Sequence, residues 1–208
     1  MIETWNSLPK PDTEEIRQRL EAAHSRLFAQ QLQMKENRLP VLVLFEGWGA
    51  AGKGTILGRV IKNLDPRFFS AVSMHDPTED ERRRPFLSRY FTQIPEAGRF
   101  EFMDSGWMTE IIKDRLFGRL CAKEYKNRIG SVRRFERSLT DNGYLVLKFF
   151  FHIPKKEQKK RLKFLLSSPE TAWQVDDYDL WENKHYGKCR DAFDTFLEDT
   201  SSASSPWY

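Results

Sequence analysis

The stretch Val41–Ile56, VLVLFEGWGAAGKGTI, decides how this chain folds. Val41 to Phe45 is a continuous apolar run, the pattern of a central parallel strand buried on both faces. GWGAAGKG is a glycine-rich turn. TILGRVIKNL then reads as a helix that stops at Asp65-Pro66, because a residue before proline is driven out of the helical region. The turn itself has three readings. Gly47-x-Gly49-x-x-Gly52 fits a dinucleotide fingerprint, with Asp76 about 20 residues further on for a ribose. Gly47, Gly52 and Lys53 also have the spacing of a P-loop, whose backbone N–H groups converge on phosphate oxygens while the lysine reaches the terminal phosphates. The third reading is a tight turn that binds nothing. Lys53 favours the P-loop, since a dinucleotide loop has no use for it. So does Asp104, which ends the apolar strand RFEFMD where a P-loop enzyme holds magnesium. Two features do not fit: Gly54 stands where Ser or Thr usually follows the lysine, and the loop holds no acidic residue.

The 208-residue chain is 39% hydrophobic, enough for one α/β core or a core with a small subdomain. Its 34 basic and 30 acidic residues leave a net charge of +4, which suits an anionic partner without demonstrating one. No apolar run approaches the roughly 20 residues of a membrane span. The N-terminus MIETWNSLPKPDTEE lacks the basic-then-apolar order of a secretion signal. Cys121 and Cys189 are too few and too far apart for a disulfide framework or a zinc site, and are expected as free thiols in a reducing cytoplasm.

Outward from the loop, strand and helix alternate, which means a doubly wound parallel sheet. Residues 1–11 read as an extended arm. Asp12 reads as an N-cap with Glu15 as its capping-box partner, opening a helix to about Asn37. Ala71 to Met74 is a short second strand. TEDERRRPFLSRYFTQI is helical in pattern, with Pro85 opening its apolar half or kinking it, and with Phe86, Leu87, Tyr90, Phe91 and Ile94 on the buried side. Helices are expected near 107–120 and 129–141, a long strand over YLVLKFFFHI, and further helices over 155–167 and 178–199. The insert at about 105–141 is where such folds hang a mobile lid. Trp207 reads as the start of a final strand, so the chain is expected to be one part of a longer protein.

Taken together, these segments resemble the polyphosphate kinase 2 family. FEGWGAAGKGT is similar to that family's G-x-D-A-A-G-K-G loop, which also carries glycine after the lysine. LDPRFF, PTEDERRRPFLSRYF, DSGW, LVLKFFFHIPKKEQKKRLK and SPWY follow in the family's order and spacing, over nearly the whole chain. The resemblance implies a P-loop kinase-like α/β/α fold with a helical lid. It implies transfer of a phosphoryl group between inorganic polyphosphate and a nucleotide of the AMP/ADP/ATP class, with magnesium at Asp104 and polyphosphate along a basic groove. Lys53, Asp104 and Arg89 are the candidate catalytic residues. Gly47, Gly49, Ala50, Ala51, Gly52, Lys53, Gly54 and Thr55 are expected to hold phosphate, aided by Arg115, Arg133 and Arg161. A tandem second domain or a homo-oligomer is expected, in the cytoplasm.

The chemistry departs from the family in the loop and around Asp104. The loop carboxylate is Gly49. The family's D-R-S-W-Y reads Asp104-Ser105-Gly106-Trp107-Met108, so arginine has become Ser105 and tyrosine Met108. The next basic position is Glu110. A transition-state arginine is worth about 10³–10⁵ in rate, so this copy is expected to transfer slowly or not at all. The alternatives are a non-catalytic phosphate-binding or scaffolding domain and, more weakly, an ATP-dependent nucleotide kinase.

The remaining candidates have plainer readings beside the functional ones. Arg115 and Arg133 could meet an anion from the lid helices or be surface arginines. Arg161 belongs to the run Lys155, Lys156, Lys159, Lys160, Lys163, which is either a solvated face or a polyanion grip. Arg82, Arg83 and Arg84 read as a salt-bridged face, His75 as structural, and Trp107 and Phe149–Phe151 as core. No recognised nucleic-acid motif occurs.

Overall fold

The computed structural model describes residues 12–208. The extended arm expected over residues 1–11 lies outside them. Four strands form one parallel sheet: β1 (Val41–Gly47), β2 (Phe69–Ser73), β3 (Phe100–Asp104) and β4 (Leu145–Phe151), in the order β2-β3-β1-β4. β1 is therefore internal. Phe45 lies level with Asp104, and Gly47 with Phe151. This register brings the glycine turn and Asp104 to one carboxyl edge of the sheet, where open α/β sheets hold ligands.

Side chains of β1 alternate between the two faces of the sheet. Leu42 and Leu44 join Met103 and Val146 in one buried cluster, covered by α5 (Trp107–Leu116), α6 (Ala122–Asp141) and α10 (Tyr186–Thr200). Val41, Val43 and Phe45 join Phe100 and Phe102 in another, covered by α2 (Lys53–Ile61) and the C-terminal end of α1 (Thr13–Glu36). The result is the three-layer α/β/α arrangement. Trp107, Ile111 and Ile112 of α5 are fully buried, and burying a large apolar side chain stabilises by about 1.5–3 kcal/mol. The segment expected as a lid, 105–141, thus forms two helices whose inner faces belong to the core.

Several helix boundaries differ from expectation, each for a local reason. Asp12 precedes α1, but its side chain makes no capping bond. The helix expected over 78–94 is broken into α3 (Glu79–Arg83) and α4 (Ser88–Phe91), because Arg84 is extended before Pro85. Phe91, expected on the buried side, is 57% exposed. The helix α6 starts seven residues early, at Ala122 rather than 129, because the Glu124 side chain accepts the Cys121 N–H at 2.7 Å and starts it there. The run from 178 divides at His185 into α9 (Asp177–Lys184) and α10, after α7 (Lys155–Leu166) and the short α8 (Pro169–Ala172).

At the chain's end Trp207 pairs with Lys148 in parallel fashion, and Tyr208 exchanges backbone bonds with Phe150 and Lys148. Lys148 is fully buried within β4. Its Nζ donates to Glu136 of α6 at 2.6 Å and to the Thr200 carbonyl at 2.9 Å. The Ser205 hydroxyl donates to the same Glu136 carboxylate. One buried ion pair therefore ties α6, β4 and the C-terminal segment together.

Candidate functional site

The loop after β1 is built around close approaches. A Cβ on Gly47 would collide with the Phe151 backbone, and Gly47 has φ +132°; only glycine lets β4 come this close. Trp48 is fully buried. Its indole N–H donates to His152 Nδ1 at 3.0 Å and its ring stacks on Tyr186. Gly52 is left-handed at φ +95° and turns the chain into α2. The first N–H groups of that helix have no intrahelical acceptor, an arrangement of the kind that suits an anion. Lys53 lies at its start, and its Nζ donates to the Gly47 and Trp48 carbonyls, both at 3.3 Å.

Two helices clamp the loop from outside. From α7, Gln158 donates to the Gly49 carbonyl at 3.2 Å, and Arg161 donates to the Ala50 and Ala51 carbonyls at 3.3 and 3.1 Å. From α9, the Glu182 carboxylate accepts the Gly49 N–H at 2.9 Å. Burial raises the Glu182 carboxyl to about 7, while the Gly49 N–H and Lys53 pull it down. Asp179, one turn away on α9, fills the space beside Gly49: a Cβ there would collide with its carboxylate oxygen.

Asp104 is placed by the chain that follows it. Glu46, fully buried at the end of β1, accepts the Gly106 and Met108 N–H groups at 2.8 and 3.1 Å and the Thr109 hydroxyl at 2.6 Å. These bonds hold the start of α5 directly beyond Asp104. Gly106 is needed there, since a Cβ would press within 2.8 Å of Leu44. Burial raises the Asp104 carboxyl, against Lys53, which lowers it.

Two adjoining cavities open at this edge. The first, about 110 Å³, is lined by Gly47, Gly49, Lys53, Asp176, Asp179 and Glu182 among others. The second, about 280 Å³, includes His75, Asp76, Tyr90, Ser105, Glu110 and Lys113. Ser105, Thr109, Lys113 and Asp176 line both. In the second, Glu110 accepts the Tyr90 hydroxyl at 2.7 Å and pairs with Arg128 at 3.4 Å and Arg89 at 3.6 Å. Burial raises the Glu110 carboxyl, against Tyr90 and these arginines.

This geometry, a glycine loop and a strand-end aspartate at one sheet edge, accompanies a clear relationship. The profile of the polyphosphate kinase 2 family matches residues 10–208. The chain belongs to that family. A polyphosphate:AMP phosphotransferase of Pseudomonas aeruginosa is 31% identical over 88% of this chain and 37% of its own length. An ADP-polyphosphate phosphotransferase of Rhodopseudomonas palustris is 31% identical over 86% of this chain and 66% of its own. The chain therefore spans about a third of the first relative and about two thirds of the second. The crystal structure of polyphosphate kinase 2 from Arthrobacter aurescens superposes with a TM-score of 0.86 at 30% identity, covering 91% of this chain and 69% of that one.

Within this chain, the structure gathers Gly47 through Thr55, Lys53, Asp104 and Arg161 at the loop. Arg89 is further round the edge: it donates to the His75 carbonyl at 2.7 Å and pairs with Glu81 and Glu110. Arg115 points away and lies over the Tyr125 ring at 4.1 Å. Arg133 is exposed on α6 and lines neither cavity. From the same two helices, Lys113 lines both cavities and Arg128 reaches Glu110 in the wall of the second. Helical spacing could have shown this, since Lys113 is three and four residues beyond Glu110 and Thr109 and shares their face, whereas Arg115 does not. Glu46, Asp179 and Glu182 were also missed. Their only sequence signal is a carboxylate in an apolar strand and an i, i+3 acidic pair on a helix.

Proposed function

We propose that this chain is a phosphate-holding domain of a polyphosphate–nucleotide phosphotransferase, acting in the cytoplasm, in which this copy transfers weakly or not at all. One observation carries the reading: carboxylates stand where cations are needed. Asp176, Asp179 and Glu182 face Lys53 and Lys113 in front of the loop, and Glu110 engages Arg89 and Arg128. Phosphoryl transfer depends on positioning and on neutralising charge at the phosphate oxygens. In this reading Lys53 and the α2 N-terminus hold phosphate, and Arg161 keeps the loop in shape. Asp104 would hold magnesium, an ion commonly bound by one or two carboxylates plus substrate phosphates. Its burial fits, because a desolvated carboxylate favours an added cation. When bound, that ion would neutralise phosphate oxygens. A second domain or a second copy would supply the stronger active site.

Turnover of polyphosphate with AMP or ADP tests this directly. The expected rate is about 10³-fold or more below that of an intact family enzyme, the worth of the missing arginine; comparable turnover defeats the reading. Lys53→Ala should weaken binding of inorganic triphosphate by about tenfold or more, as loss of a charged hydrogen-bond donor does. A second reading, an active phosphotransferase, is favoured by the retained Lys53 and Asp104 and is separated by the same turnover assay.

A further inference from the structure

We propose that Glu182 is an internal anion seated on the phosphate loop, which a phosphate ligand has to neutralise or displace in order to bind. The inference rests on the reading of the loop as a phosphate site and says what controls entry to it. Glu182 is 1% exposed, yet it lines the cavity in front of Gly49 and Lys53. Its Oε2 accepts two donors, the Gly49 N–H at 2.9 Å and the Gln158 side-chain amide at 2.6 Å. Gln158 cannot readily turn away, because Asn183 donates to its other end at 2.9 Å. The carboxylate thus occupies a backbone donor of the loop, with a charge of the same sign as the ligand.

The surroundings make this occupancy adjustable. From the loop and α2, the Gly49 N–H and Lys53 favour the charged form. On α9, Asp179 disfavours it, while burial and then Asp176 hold Asp179's own proton more tightly. Burial, with Glu182 adding to it, holds the protons of the nearby Tyr178 of α9, and of Tyr186 and Cys189 of α10, more tightly. Burial outweighs the favourable partners and raises the Glu182 carboxyl to about 7. A phosphate arriving at the loop adds further negative charge beside it. Binding therefore draws a proton onto Glu182, or pushes its charged form off Gly49.

The test is calorimetric titration of inorganic triphosphate into the wild-type chain, Glu182→Gln and Glu182→Ala, from pH about 6 to about 8 in buffers of different ionisation enthalpy. Wild-type affinity should weaken by up to about tenfold per pH unit above about 7, with net proton uptake beyond that of the ligand. Glu182→Gln keeps the shape and loses the charge, so it reports the ligand's own titration. It should bind more tightly than wild type at pH about 8 and lose the extra proton uptake. Glu182→Ala, lacking acceptor and charge, should do the same. If the variants bind as wild type does, with the same pH profile, Glu182 is not a gate, although the loop is a phosphate site. If no form binds at any pH, both the gate and the phosphate-holding reading fall.

Discussion

Glu46 and Glu182 are both buried glutamates that accept backbone N–H groups, and comparing them separates structure from function at this site. Glu46 receives three donors at the start of α5, from Gly106, Met108 and Thr109. Two of them, the Gly106 and Met108 N–H groups, are on buried residues. Glu182 receives the Gly49 N–H in a loop whose donors suit a ligand. The same chemistry is therefore cohesive in one place and competitive in the other. Burial raises both carboxyls; what differs is whether anything else wants the same hydrogen bonds.

The largest effect should come from Glu46→Leu. It leaves two buried backbone donors without an acceptor and a half-buried hydroxyl free to turn to solvent, a loss of about 4 kcal/mol in denaturant unfolding at 1–3 kcal/mol per buried group. A loss below about 1 kcal/mol would mean that Glu46 does not hold α5 and that the contrast with Glu182 is empty.

The second effect is pH-dependent. Folding raises the Glu182 carboxyl from its ordinary 4.5 to about 7. The folded state then binds more protons than the unfolded state between those values, so this group's contribution to stability is greatest below about 4.5 and declines as pH rises through about 7. The decline is on the order of 3 kcal/mol. Glu182→Gln should remove it, so the variant should gain on wild type steadily as pH rises across that window. A constant offset between the two unfolding curves would show that Glu182 is charged throughout.

The smallest effect is steric. Gly49→Asp, which restores the family's loop carboxylate, meets the Asp179 side chain. Crowding of this kind costs about 1–3 kcal/mol. Adding Asp179→Ala should recover most of it. Recovery of stability without Asp179→Ala would show that α9 can move off the loop. Restoring the loop carboxylate together with Ser105→Arg adds no new backbone strain at 105, because the wild-type chain already holds a non-glycine residue there at φ +60°.

The strand–turn–helix punctuation around Lys53 was legible because it is local. An apolar run, a glycine cluster and a following helix are written in consecutive residues. Asp104 was legible because it ends such a run. The breaks inside 78–94 and 178–199 were less so, since the periodicity continues across them while the backbone does not. The charge reversal at Glu110 could be read in order along the chain, but its engagement of Arg89 and Arg128 could not.

Sequence order alone was enough for the parallel α/β class, the strand–glycine turn–helix unit and the family, because each is carried by short-range pattern. Which carboxylates guard that loop was left to packing. Glu46 acts on Gly106, 60 residues away, and Glu182 on Gly49, 133 residues away. No local rule connects such positions; the sheet register and the docking of α9 do. The loop that looked one carboxylate short has two standing over it, Asp179 and Glu182, delivered by a helix from the far end of the chain.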